Sequence, residues 1–231
     1  MKKYIIYFFA ICMMFTLASC EKDEPALPNQ PEIEAPEDGD DENPDNPGKP
    51  SEGHKTLIAY YSYTNNVERI VTELHTQIEV DVLEIEPAQK GLDYAANNYA
   101  LGTQLLNAIK ANPDDESSYP AIDNVEVDMA KYDMVIIAVP LWWSQMAAPF
   151  QTFLFHYGSQ MEGKDIGVIV SSASSGISGV VADAKRLIPK GNFIEPNLWI
   201  RSSQTSNAAS LISDWLKDIH YNSLVSVSSE R

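Results

Sequence analysis

The chain changes texture twice before it settles into a regular pattern. Residues 4–17 are an apolar run without a charge, and residues 21–53 contain almost nothing apolar. From Thr56 onward apolar clusters of two periods alternate. Residues 56–61 are a continuous β-prone run, followed by Val67, Ile70, Val71, Leu74 and Ile78 at helical spacing, which predicts a helix over 66–78. A second strand is expected over 80–85, stopped by Pro87. Residues 134–139 are almost uniformly apolar, as in a parallel strand covered on both faces, and Pro140 is expected to end it. A helix over 149–157 begins with Pro149, where a missing N–H costs little. Then come a strand over 166–170, a helix over 180–188, a broken fifth strand over 193–200 and an amphipathic helix over 208–219. The stretch 91–131 is less regular, with a helical pattern over 94–109 and a loop over 112–124. Strands alternating with helices predict an α/β domain over 54–231, a parallel sheet with helices on both faces.

The two preceding segments predict an address and a tether. Lys2 and Lys3, the apolar run and the small residues Ala18 and Ser19 before Cys20 have the form of a secretory signal. Leu17-Ala18-Ser19-Cys20 resembles the lipobox of bacterial lipoproteins. That resemblance implies a signal peptide over 1–19, lipidation of Cys20 and export to an anchored position on the bacterial envelope. Over 20–53, seven prolines alternate with acids, a composition that stays extended because it buries too little to offset its ordering entropy. The other cysteine, Cys12, lies in the signal. The expected domain has no thiol, which excludes disulfides, cysteine nucleophiles and thiolate metal sites.

The formal net charge is −17, and residues 21–53 carry twelve acidic side chains against two basic. Nucleic acid is not expected as a partner, since phosphate backbones are bound by clustered Lys and Arg; a basic redox partner would suit the acidic surface. His54, His75, His156 and His220 are scattered, and the chain lacks H-E-x-x-H, G-x-S-x-G, a Walker lysine and G-x-G-x-x-G. No catalytic residue or metal ligand is assigned.

Ligands of doubly wound sheets bind outside the carboxyl ends of the strands. Three loops here leave such ends. Ser62-Tyr63-Thr64-Asn65-Asn66 supplies hydroxyls, amides and helix-end N–H groups suited to a phosphate, or to an N-cap and turn. Pro140-Leu141-Trp142-Trp143-Ser144 places two indoles in succession. Neighbouring side chains point apart, so one indole is expected to be available for stacking on a flat ligand. The run Ser171-Ser172-Ala173-Ser174-Ser175-Gly176 is small enough for its backbone to approach a ligand closely.

The first loop resembles the flavodoxin pattern S-x-T-G-N-T. Pro140 to Trp143 resembles the P-I-W-W loop of a flavodoxin subfamily, and the serine run resembles that subfamily's T-S-G-G-S-G loop. The resemblance implies a flavodoxin-like three-layer α/β/α sandwich with a five-stranded parallel sheet in the order 2-1-3-4-5. It also implies FMN as cofactor, held by Ser62, Tyr63, Thr64, Asn65, Asn66 and Val67 at the phosphate. The isoalloxazine ring would lie between Pro140–Ser144 and Ser171–Gly176. Asn65 stands where the family has glycine, and asparagine tolerates left-handed backbone better than most residues. Val67 stands where the family has threonine. Two functions are expected: an FMN-binding electron-transfer protein or FMN-dependent reductase of the cell envelope, or a binding module that keeps the fold without the flavin.

Overall fold

The first alternating unit is β1 (Thr56–Tyr60), α1 (Asn66–His75) and β2 (Asp81–Glu84), followed by α2 (Ala96–Ala111). Then come β3 (Met134–Trp142), its short return β4 (Gln145–Met146), α3 (Ala148–Tyr157), β5 (Asp165–Ser172) and α4 (Ser178–Leu187). The chain closes with β6 (Asn192–Phe193), β7 (Leu198–Arg201), α5 (Ala208–Asp218) and α6 (Tyr221–Val227). This computed structural model describes residues 55–227. The expected signal peptide, Cys20 and the tether over 20–53 lie outside the described residues.

β1 pairs in parallel with β2 on one side and β3 on the other. β3 continues in parallel to β5, and β5 pairs along its length first with β6 and then with β7. With β6 and β7 taken as the two halves of one interrupted strand, and β4 as a hairpin off β3, the spatial order is the expected 2-1-3-4-5. Alternation along β3 builds the three layers. Val135, Ile137 and Val139 face one core, shared with Phe150 and Phe153 of α3. Met134, Ile136 and Ala138 face the other, shared with Ile70 and Leu74 of α1 and Ile212 and Trp215 of α5.

β3 does not end at Pro140, as the sequence pattern suggests, but runs to Trp142. β1 finishes opposite Ala138, so at Pro140 β3 has a partner strand on the β5 side alone. A residue without an N–H is tolerated on the side where no partner strand needs it. Two elements are absent from the expected set: the return strand β4 and the final helix α6.

The carboxyl ends of β1, β3 and β5 are neighbours in the sheet, so the three loops expected to carry chemistry leave the same rim. Among the described residues no helix is long and apolar enough to cross a membrane, and no group of three His, Cys, Asp or Glu could hold a metal ion.

Candidate functional site

The loop after β1 turns on Asn65, whose φ of 61° and ψ of 5° are left-handed, the conformation that glycine would adopt at least cost. α1 then starts with its N–H groups facing the loop. The Glu68 N–H donates to the Ser62 hydroxyl at 3.3 Å, and the Arg69 N–H donates to the Asn65 carbonyl at 3.1 Å. Those of Asn66 and Val67 are left without a helical acceptor, as the first turn of any helix dictates. The Asn66 amide donates to the Thr64 hydroxyl at 3.2 Å, which ties the half-buried Asn66 to the exposed Thr64. The Val67 side chain is buried in the core beneath α1, so only its N–H can face a ligand. A cluster of uncommitted N–H groups and hydroxyls at a helix end suits a phosphate.

The loop after β3 is a tight hairpin. Leu141 pairs with Met146 and Trp142 with Gln145, leaving Trp143 and Ser144 as a two-residue turn. Both have positive φ, 47° and 63°. That is the hairpin geometry usually given to Asn-Gly or Asp-Gly, and it is costly for an indole-bearing residue. The two tryptophans divide as expected. Trp142 is 9 % exposed and sits among Tyr61, Tyr63 and Tyr94, its ring 4.8 Å from that of Tyr94. Trp143 is 46 % exposed, its ring nearly perpendicular to that of Tyr99 with centroids 5.7 Å apart.

The loop after β5 is anchored at its root. Ser171 and Ser172 are buried. The Ser172 hydroxyl donates to the Ser175 carbonyl and accepts from the Trp199 indole N–H, both at 2.8 Å. Ala173, Ser174, Ser175 and Gly176 are exposed beyond it. The serine loop leads into α4, where a Cβ added at Gly179 would lie 1.8 Å from the Ser144 carbonyl oxygen. The tryptophan turn and the start of α4 are therefore in direct contact.

Residues remote in sequence hold that turn. The Met146 N–H donates to Asp183 Oδ2 at 2.9 Å, and the Met146 carbonyl accepts from Gln151 Nε2 at 2.8 Å. Arg186 joins the two, donating to Gln151 Oε1 at 2.9 Å and lying 3.8 Å from Asp183. Burial pushes the Asp183 carboxyl above its ordinary value of 3.8, against the opposing pull of the Met146 N–H and Arg186. The folded state therefore holds a proton that the unfolded chain has released, between 3.8 and the raised value, and this group's contribution to stability declines as pH rises through that window. In urea denaturations across the acidic range, Asp183→Asn is expected to gain on the parent protein through the window and to run parallel above it. Superimposable pH profiles would show that this carboxyl is not the desolvated group.

Seven non-glycine residues have positive φ among those described: Asn65, Asn97, Asn98, Tyr99, Trp143, Ser144 and His220. Six of them surround this rim. Asn97 to Tyr99 form three successive left-handed residues at the start of α2. They bring Tyr99 to Trp143, a juxtaposition that hydrophobic periodicity could not show; the Asn-Asn pair was the available signal. Strained backbone persists where the surrounding structure over-determines it, and it gathers at ligand sites.

The sequence profile of the flavodoxin family matches residues 55–219, and the chain belongs to that family. Among solved structures, it is similar to a candidate flavoprotein from Bacteroides eggerthii, with 25 % identity and a TM-score of 0.59 over 72 % of this chain and 98 % of that one. A flavoprotein from Lactobacillus acidophilus solved in complex with FMN shares the fold, with 22 % identity and a TM-score of 0.53 over 68 % of this chain and 99 % of that one. No curated protein matches the chain.

Proposed function

We propose that the chain binds FMN at this rim and serves as an electron-transfer protein or FMN-dependent reductase, lipid-anchored to the bacterial envelope through Cys20. The observation that carries the flavin reading is the concentration of left-handed, non-glycine backbone in the β1 loop, the tryptophan turn and the start of α2. The fold of the FMN-complexed Lactobacillus protein supports it, and the lipobox-like tetrad supports the anchor.

The residues present fit such a cofactor. The N–H groups of Asn66 and Val67, with the Thr64 and Ser62 hydroxyls, would hold the phosphate without a lysine. The exposed Trp143-Ser144 turn and Ala173–Gly176 would border the ring. When bound, the flavin supplies the redox chemistry, and the protein supplies position and electrostatics. Asp183, Gln151 and Arg186 fix the Met146 backbone, so the turn meets the ring in one conformation. The buried Trp142 and its tyrosine neighbours exclude water beneath it.

The test is a titration of the purified protein with FMN and with riboflavin, followed by flavin and tryptophan fluorescence. FMN is expected to bind at micromolar concentration or below. Riboflavin lacks the charged acceptor, and each hydrogen bond to such a group contributes about 1.5–3 kcal/mol, so it should bind at least about a hundredfold more weakly. Equal affinities would overturn the phosphate assignment. A flat response to both flavins would favour the fold retained without its cofactor, the reading to which the missing hydroxyl at Val67 points.

A further inference from the structure

Away from the flavin rim, a recess of about 360 Å³ opens between the far ends of α3 and α4 and the segment that follows α2. α4 starts beside the tryptophan turn and runs back past the strands. Just beyond its end the Lys190 carbonyl accepts from the Gly163 N–H at 2.9 Å, shortly before β5 begins at Asp165. The recess therefore sits at the amino end of the sheet, and none of the three flavin loops lines it. Its volume falls within the roughly 300–1,000 Å³ of pockets that enclose a small molecule.

Its walls are tied together. At Gly158, where α3 ends, an added Cβ would collide with the Leu187 carbonyl, so glycine lets the ends of the two helices meet. The buried Tyr119 donates its hydroxyl proton to the Pro113 carbonyl at 2.6 Å and accepts from Arg186 Nη1 at 3.2 Å. That one hydroxyl holds the Pro113-Asp114 segment near the Arg186 guanidinium. Phe155 lies against Tyr119 with ring centroids 4.3 Å apart, and together with Leu187, Pro113 and Pro189 it supplies the apolar lining.

The charged side chains of the lining are of both signs, and two of them remain available. Lys190 and Glu162 pair at 2.7 Å and cancel. A guanidinium carries more N–H donors than the two that Tyr119 and Gln151 accept from Arg186. The Arg186 side chain is 36 % exposed, so its remaining donors can be reached from the recess. Asp114 is exposed and makes no hydrogen bond or ion pair among the described residues. The carbonyl ends of α3 and α4 add to its pull on a cation. We propose that the recess binds a zwitterion of free amino acid size with an apolar side chain. Its carboxylate accepts from Arg186, its ammonium donates to Asp114, and its side chain packs on Phe155 and Pro189.

The test uses three probes that share a phenyl ring on a short chain. L-phenylalanine carries both charges, 3-phenylpropanoate lacks the ammonium and 2-phenylethylamine lacks the carboxylate. Equilibrium dialysis of the full chain at neutral pH and fixed ionic strength measures all three, with and without added FMN. L-phenylalanine is expected to bind at one per chain, about five- to tenfold more tightly than either single-charge probe. That is the lower end of what a hydrogen bond to a charged group contributes, because the recess is open to water. Asp114→Asn should abolish the preference over 3-phenylpropanoate and keep the preference over 2-phenylethylamine, and Arg186→Gln should do the reverse. Arg186 also braces Gln151, so Asp114→Asn, which exchanges one exposed carboxylate, carries the test if the arginine variant does not fold. Equal affinities for the three probes, or preferences that Asp114→Asn leaves unmoved, would overturn the proposal. Absence of L-phenylalanine binding, or its displacement by FMN, would overturn it as well. None of these results depends on whether the rim holds a flavin.

Discussion

Replacing Trp142 by alanine is expected to lower the unfolding free energy by about 3–5 kcal/mol, while the same change at its neighbour Trp143 costs about 1 kcal/mol or less. The two residues are adjacent and chemically identical, and burial alone separates them: 9 % exposed against 46 %. Removing Trp142 empties the space between Tyr61, Tyr63 and Tyr94, which come from the root of the β1 loop and from the segment before α2. These side chains cannot close over the gap without moving the β1 loop. The loss is a large share of the roughly 5–15 kcal/mol that holds a domain folded. Urea denaturation of the two variants measures both values, and equal midpoints would show that the indoles are not divided between core and surface.

Gly179→Ala should be the most damaging single methyl group near the site. The new carbon would lie 1.8 Å from the Ser144 carbonyl oxygen and 3.0 Å from its carbon, and both belong to backbone. No side chain can swing away, so either α4 or the tryptophan turn must shift. Overpacking of this sort costs about 1–3 kcal/mol and occasionally more. The turn cannot move freely either, because the Met146 backbone is held on one side by Asp183 and on the other by Gln151. FMN affinity is expected to fall at least about tenfold, since a displacement near 1 Å at a site is enough to remove a hydrogen bond to a ligand. Gly176→Ala, three residues earlier, is the control for stability: a Cβ there meets nothing within 4 Å of protein, and the unfolding free energy should not change. A Gly179→Ala variant indistinguishable from that control would show that the turn and α4 are not packed as described.

The sheet was legible because burial on both faces leaves an unmistakable pattern: residues 134–139 alternate between two cores, yet none of them is polar. That the three loops share one rim was legible for a different reason, since the carboxyl ends of neighbouring parallel strands point the same way. What escaped the sequence was the geometry between distant segments. Trp143-Ser144 is not a dipeptide that announces a tight hairpin, so nothing in the sequence marks β4 or carries β3 past Pro140. Tyr94 and Tyr99 sit in a stretch of weak periodicity, and a left-handed run that brings a ring to the site has no hydrophobic signature. Gln151, Asp183 and Arg186 meet only because α3 and α4 pack on one face of the sheet, and separations of that length cannot be read from spacing.

β2 forms one border of the sheet, and its sequence is Asp-Val-Leu-Glu. Its outer main-chain groups offer a foreign strand a place to add on, and Val82 is exposed beside them. The carboxylates of Asp81 and Glu84 stand at either end of that stretch and repel a second copy of the same acidic border. This insulation is electrostatic and not steric. Salt would weaken it by screening both groups while the apolar middle of the border stayed available, so the molecule's resistance to sticking to itself should fall as ionic strength rises.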